Sequence, residues 1–364
     1  MSEWTVENPA TLAEIEAELE NFRGESLVFV SWGGAYQAAQ REAYIVPFTA
    51  KFGIEVLEDS PTEYPKVRIM AETGNITWDV IDVGQRVTYQ FAATGDIEEL
   101  DFSIIDNRDL MSVMQTPYNG GPGLTWSTVM AYSTDTYPDG GPQPTTWADF
   151  FDIDKFPGRR GWRDNVHAMP TFTLLGLHPD WMGDPEKMAM LGAPTPAMVD
   201  ETFTFWEGWK DNIAVFWHSG SDCPQLLISG ELDMCTAWNG RIFDAQKTGA
   251  PLAICWECGH LLSTDGWLMA KGIKEQKPEA YLLGQLFMAW TMFPETAARI
   301  SQFISYGPGI ITAIPFLAGP EYDASREELP SSATNIGFAI LENEEHTGLA
   351  IDEWGERWLG ILQQ

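Results

Sequence analysis

The chain has 364 residues, 44% of them hydrophobic, which suits about two domains with cores of their own. Its 53 acidic residues against 21 basic ones give a net charge of −32, which argues against nucleic acid or an anionic membrane surface as a partner. No apolar run reaches the roughly eighteen residues that a membrane-spanning helix needs.

The amino terminus, Met1-Ser2-Glu3-Trp4, lacks a basic stretch followed by an apolar one. Either the protein is cytoplasmic or the chain is a mature form without its signal peptide. Residues 1–24 read as helix, because apolar positions recur every three or four residues through TLAEIEAELENF. The run Ser26 to Tyr36, SLVFVSWGGAY, reads as a buried strand ending in a tight loop. In an open α/β sheet, ligands bind in the loops after the carboxyl ends of strands. Trp32 stands in such a loop, and Gly33 and Gly34 let backbone come close to a guest. Residues 36–52 read as an amphipathic helix with a local break at Pro47 and a stop at Gly53. A strand at 54–57, a helix at 64–70 and a strand at 78–83, followed by Gly84-Gln85, complete three βα units. Three such units in a row predict a parallel sheet with helices on its faces.

A helix at 87–94 leads to a Gly/Pro-rich turn at 118–123 and a long strand at 124–132, a candidate crossing between domains. After a second breaker cluster at 138–144 comes a short capped helix at 146–151. Gly161-Trp162-Arg163-Asp164 marks the end of another strand, before a helix at 168–176. Helices follow at 197–209 and 223–229, with strands at 214–217 and 233–238. Asn239-Gly240-Arg241 then opens a helix to about 248. Strands at 252–255 and 261–269, helices at 278–291 and 295–304, a loop at 306–309 and a last helix at 352–362 end the chain. The expected fold is two α/β domains, 1–128 with 263–310 and 129–262 with 311–364. Crossings near 128, 262 and 310 join them, and a cleft between them suits one small ligand closed in by a hinge.

The motifs of enzymes are missing: there is no G-x-S-x-G, no phosphate-binding P-loop and no H-E-x-x-H. Gly33-Gly34 lacks the third glycine of a dinucleotide fingerprint, and the five histidines show no close metal spacing. No cofactor and no metal is expected. Cys223, Cys235, Cys255 and Cys258 admit three pairings. Cys255-Trp-Glu-Cys258 has the spacing of a redox pair without its usual βαβ setting, and zinc lacks a second close pair. One or two structural disulfides in an oxidising compartment are expected.

The residues at strand ends and in crossing loops are Trp32, Tyr36, Gln85, Asp164, Trp238, Arg241, Asp265 and Tyr306. They combine aromatic faces with charges of both signs and contain no nucleophile–base pair. Aromatic faces hold cations and alkyl chains, a carboxylate fixes an ammonium, and arginine grips a carboxylate through two hydrogen bonds.

Several segments, in order, resemble the bacterial polyamine and γ-aminobutyrate type of periplasmic solute-binding protein. VFVSWGGAY with the following F-x-x-K-F-G-I-x-V is similar to that family's start, and TWDVIDVG to its third strand. LLISGELDMCTAWNGRIFDAQ, STDGWLMAKG and ISYGPG are similar to its later ligand-bearing segments, so the resemblance covers about 26–330. It implies the type II two-domain periplasmic-binding-protein fold and a monomer that hands a small amine or zwitterion to the membrane permease of an ABC importer. It implies periplasmic localisation with the signal peptide removed. By the same resemblance Trp32, Trp238 and Tyr306 are aromatic walls, Gln85 lies near a ligand loop and Asp265 holds a ligand amine. Asp164 falls near a family acid, but the next expected acid, three positions on, is His167. Diamine binders carry an acid three residues after the wall tryptophan, where this chain has Arg241. These departures favour an ω-amino acid such as γ-aminobutyrate over putrescine or spermidine. An enzyme on the same fold and a thiol–disulfide protein are the alternatives of other classes.

Overall fold

Eleven strands organise the computed structural model, which describes residues 4–363. Met1, Ser2 and Glu3, where no signal pattern was read, lie outside the described residues. In chain order the strands are β1 (Ser26–Val30), β2 (Glu55–Asp59), β3 (Val80–Gly84), β4 (Gly120–Ser133), β5 (Arg160–Arg163) and β6 (Ile213–Trp217). They continue with β7 (Met234–Trp238), β8 (Leu252–Cys255), β9 (His260–Leu268), β10 (Gly307–Pro308) and β11 (Ala339–Leu341). The chain divides into two compact units, Met1–Thr125 with Thr264–Arg326 and Trp126–Ser263 with Glu327–Gln364. The third crossing follows Arg326 rather than falling near 310. Residues 311–326 are tied to the first unit by Ile311 N–H to the Asp109 carbonyl (2.8 Å) and by Gln302 Nε2 to the Tyr322 hydroxyl (2.9 Å).

In the first unit β1 lies between β2 and β3, all parallel, with Leu27 level with Val56 and Val30 level with Ile81. The last part of β9 then joins β3 antiparallel, Ile81 opposite Leu268, so the sheet is mixed rather than parallel throughout. The helix after β1 runs unbroken to Phe52, and the expected break is a π turn at Arg41–Ile45. Pro47 has no N–H to return to the preceding turn, and the helix absorbs this by widening, with Val46 N–H reaching back to the Arg41 carbonyl. Gly53, at φ 67°, ends it in the left-handed region. The Pro278–Met292 helix is buried along nearly its whole length. Its Phe287 stacks on Trp267 (5.4 Å, 19°) and meets Phe48 at 4.8 Å, which makes an aromatic core behind the sheet. The Gly/Pro stretch read as a turn at 118–123 turns only at its start, and from Gly120 it is already β4. At Gly121 an added Cβ would lie 2.6 Å from the Trp267 ring, so the strand can pass there only without side chains.

In the second unit the Trp126–Ser133 part of β4 pairs antiparallel with β7 on one side and β8 on the other. β5 lies parallel between β7 and β6. The core is again aromatic: Trp147 stacks on Phe172 at 3.9 Å, and Trp162 meets Trp206 at 4.9 Å. The last helix begins at Glu344, not at Asp352, because the Asn343 side chain caps the His346 N–H at 3.0 Å. The helix Pro185–Gly192, capped by Asp184, has no counterpart in the sequence reading.

Candidate functional site

The first unit carries five of the eight candidate residues at its strand ends. Trp32 follows β1 and meets Tyr64 edge to face at 5.8 Å. Gly33, at φ 66°, starts the next helix, which places Tyr36 one turn in. The buried Tyr36 ring meets Tyr306 at 5.4 Å, and its hydroxyl donates to Asp82 Oδ2 at 2.7 Å. Asp265, on β9, lies directly opposite Gly84 of β3, while Asp82 lies opposite Trp267. Residues two apart on a strand share a face, so Asp82 and Asp265 are diagonal neighbours on one face of the sheet. Gln85 opens the helix Gln85–Thr94 and is fully buried, and neither polar atom of its side-chain amide has a hydrogen-bond partner among the described residues. A buried amide left open in this way loses its water without replacement, which a ligand would repair.

Electrostatics single out Asp82, which the sequence reading did not include. Burial, and next the charge of Asp265, hold its carboxyl well above the usual carboxylate range. The Tyr36 phenol is pushed up as well, first by burial and then by Asp82 and Asp265. The one local signal was an acid inside the run Val80-Ile81-Asp82-Val83, whose neighbours are all buried. Arg86, also buried and also missed, places its Nη1 where a Cβ on Gly84 would come within 2.8 Å.

The second unit carries Trp238, Arg241 and Asp164. Trp238 ends β7, and the helix Asn239–Lys247 starts at once, pinned by Asn239 Oδ1 accepting the Ser127 N–H at 2.9 Å. That start places the buried Arg241 guanidinium 6.0 Å from the Trp238 ring. Arg163, at the end of β5, lies over the same ring at 4.5 Å. Trp126 and Trp217 meet Trp238 edge to face at 5.8 and 5.7 Å. His167 packs on Trp126 at 6.0 Å, and its Nε2 is 3.4 Å from Glu342 Oε2, which also accepts the Ser263 hydroxyl. Glu342 comes from the returning carboxyl-terminal segment, and nothing local marked it. Asp164 is tied to this cluster by its N–H, which donates to the Trp217 carbonyl at 2.8 Å, while its carboxylate meets Trp358 Nε1 at 3.4 Å and His218 Nδ1 at 3.5 Å.

Neither cluster has the parts of a catalytic site. Ser127 Oγ lies 2.8 Å from His260 Nδ1, but both residues are fully buried. The other imidazole nitrogen, Nε2, donates to the Asn335 carbonyl at 3.0 Å rather than to a carboxylate. Burial pushes the His260 pKa down to about 4, too low for a base at neutral pH. Among the described residues no group of three or more His, Cys, Asp or Glu is placed to hold a metal ion. Cys255 and Cys258 form a disulfide, while Cys223 and Cys235 are reduced and buried. No helix is long and apolar enough to cross a membrane among the described residues.

Comparison with known proteins gives these residues a setting. The family model described as bacterial extracellular solute-binding protein matches residues 43–325. A γ-aminobutyric acid-binding protein of Pseudomonas aeruginosa is 31% identical over 327 residues, 89% of this chain and 87% of its own. A solved ABC transporter substrate-binding protein from Bradyrhizobium japonicum is 31% identical, with a TM-score of 0.81 over 93% of this chain and 100% of the other. A solved GABA receptor is 29% identical, with a TM-score of 0.75 over 92% of this chain and 97% of the other. The two-domain α/β fold of periplasmic binding proteins, expected from the resemblance, is therefore the fold of this chain.

Proposed function

The chain belongs to the bacterial extracellular solute-binding protein family, and we propose that the solute it captures is a small ω-amino acid of the γ-aminobutyrate type. By that membership it is a substrate-binding protein of an ABC transporter and not an enzyme. The observation that carries the choice of solute is the pair of guanidinium groups, Arg163 and Arg241, flanking the Trp238 ring. Two cations at one aromatic wall suit a carboxylate, which arginine takes by paired charge-assisted hydrogen bonds. In this reading the solute's carboxylate goes to Arg163 and Arg241 and its ammonium to Asp265, with Trp32, Tyr36 and Tyr306 covering the methylenes and Gln85 supplying its open amide. A diamine would bring a second ammonium to the two arginines, a like-charge contact in a desolvated place that costs several kcal/mol on the order of other buried charge mismatches.

The γ-aminobutyric acid-binding relative and the GABA receptor support the same class of solute. We further propose that the protein works as a monomer in the periplasm and delivers its solute to a membrane permease. The test is titration calorimetry with γ-aminobutyrate and putrescine on the wild type, Arg163→Ala and Arg241→Ala. The wild type should prefer γ-aminobutyrate by at least tenfold, about 1.4 kcal/mol. Each substitution should weaken γ-aminobutyrate by a similar factor or more. Tighter binding of putrescine, or unchanged γ-aminobutyrate binding in both variants, would overturn the assignment.

A further inference from the structure

The proposed function leaves Asp82 without a task. Its side chain is fully buried in the middle of β3, and its two oxygens are treated unequally. Oδ2 receives the Tyr36 hydroxyl at 2.7 Å and Gln40 Nε2 at 2.5 Å. The Ser31 hydroxyl is 3.2 Å from Oδ2, but its single proton has a shorter path to Gln40 Oε1 at 2.6 Å. Oδ1 has no hydrogen-bond partner among the described residues. The titratable and charged groups around it are Tyr36 and Tyr44 from the helix after β1, Asp265 from β9 on the same sheet face, and Arg86 beside Gly84. Among the described residues no cation is bonded to Asp82.

An ionised Asp82 would thus be a second negative charge next to Asp265, away from water and with one oxygen bare, which the physics of buried charge disfavours. A carboxylic acid with its proton on Oδ1 avoids that charge. We propose that Asp82 keeps this proton in the ligand-free protein and exchanges it for an N–H of a ligand ammonium docked at Asp265, so that capture of a primary amine releases a proton. The proposal rests on the reading of Asp265 as the ammonium partner. In the exchange the O–H bond at Oδ1 breaks and its proton goes to water, while the ammonium N–H donates to the same oxygen. The carboxyl pair carries one net negative charge before capture, and the pair with its bound ammonium carries one after it, because the released proton takes away the charge that the ammonium brings. A quaternary ammonium has no N–H to offer, so betaine-type solutes are refused.

The experiment has two arms. Infrared difference spectra of ligand-free wild type and Asp82→Asn near neutral pH should show the carbonyl stretch of a protonated carboxyl that only the wild type has. Asp265→Asn should let that proton go at lower pH than in the wild type, because one repelling charge is removed. Calorimetry of γ-aminobutyrate in two buffers of unequal ionisation enthalpy should find release of about one proton per ligand in the wild type and none in Asp82→Asn. Absence of the band from the wild type, or equal proton release in Asp82→Asn, overturns the proposal. If γ-aminobutyrate does not bind the wild type but putrescine binds with proton release, the ω-amino acid reading fails and the exchange stands. If neither amine binds, or glycine betaine binds as well as they do, the exchange is overturned.

Discussion

Gly84 stands directly opposite Asp265 in the antiparallel β3–β9 ladder, so the acid faces a strand position with no side chain. The buried Arg86 guanidinium occupies the room that Gly84 leaves. An acid and a cation are thereby brought to the same spot on the sheet by the absence of one methyl group.

That absence can be tested. Gly84 has an ordinary backbone conformation, φ −61°, so Gly84→Ala introduces no backbone strain. Its new Cβ would lie 2.8 Å from Arg86 Nη1, the far end of a flexible side chain that can swing away. The expected outcome is a melting temperature lowered by only a few degrees, consistent with a change of about 1 kcal/mol. The affinity for γ-aminobutyrate should fall roughly tenfold or more. Calorimetry and thermal melts on the same samples decide it. A large loss of stability, or unchanged affinity, would show that Arg86 fills space and nothing more.

His260 offers a pH test within the second unit. Its imidazole pKa is pushed down to about 4 by burial, against about 6.5 in an unfolded chain. Between those values the unfolded chain binds a proton that the folded one refuses. Stability is therefore full above the unfolded value and declines as pH falls toward about 4. Nitrogen NMR should show one neutral tautomer, with Nε2 protonated and Nδ1 accepting from Ser127, unchanged down to about pH 5. Titration of this ring near its ordinary value would contradict the geometry.

The cysteines make a separate prediction. Labelling the denatured protein without reductant should count two thiols, those of Cys223 and Cys235, and with reductant all four. All four sulfurs belong to buried residues, so the native protein should label at none of them. Mild reductants should also leave Cys255–Cys258 intact, as suits a structural bridge rather than a redox pair. Four reactive thiols in the unreduced, denatured sample would remove the disulfide.

Much of this arrangement was legible before any coordinates. Trp32, Gln85, Trp238 and Arg241 were picked out because strands and the loops after them leave a local trace. A short apolar run bounded by glycine ends where the chain must turn. The resemblance reached the family because its segments recur in order along the chain. Local pattern failed where long-range packing sets the outcome. The Gly/Pro stretch at 118–123 reads as a turn by composition, yet from Gly120 onward it is strand, with the Trp267 ring from a distant segment filling the space beside Gly121. The contacts of the Asp164 carboxylate with Trp358 and His218 are likewise invisible to local pattern, because both partners are far off in sequence.

By itself, then, the order of residues determined the run of βα units, the aromatic and charged residues at the strand ends, and the class of protein they belong to. The first two follow from hydrophobic period, turn chemistry and spacing, which act over a few neighbouring residues, and the class follows from the resemblance of successive segments to a known family. Only the tertiary structure decided that Arg163 joins Arg241 at the Trp238 ring, that Glu342 returns to His167, and that one oxygen of Asp82 is saturated while the other is bare. A side chain's charge state and bonding depend on what packs around it, and those neighbours come from segments as far apart as Tyr36 and Asp82 or His167 and Glu342. No short stretch of sequence carries that information, because burial and pairing are properties of the assembled core.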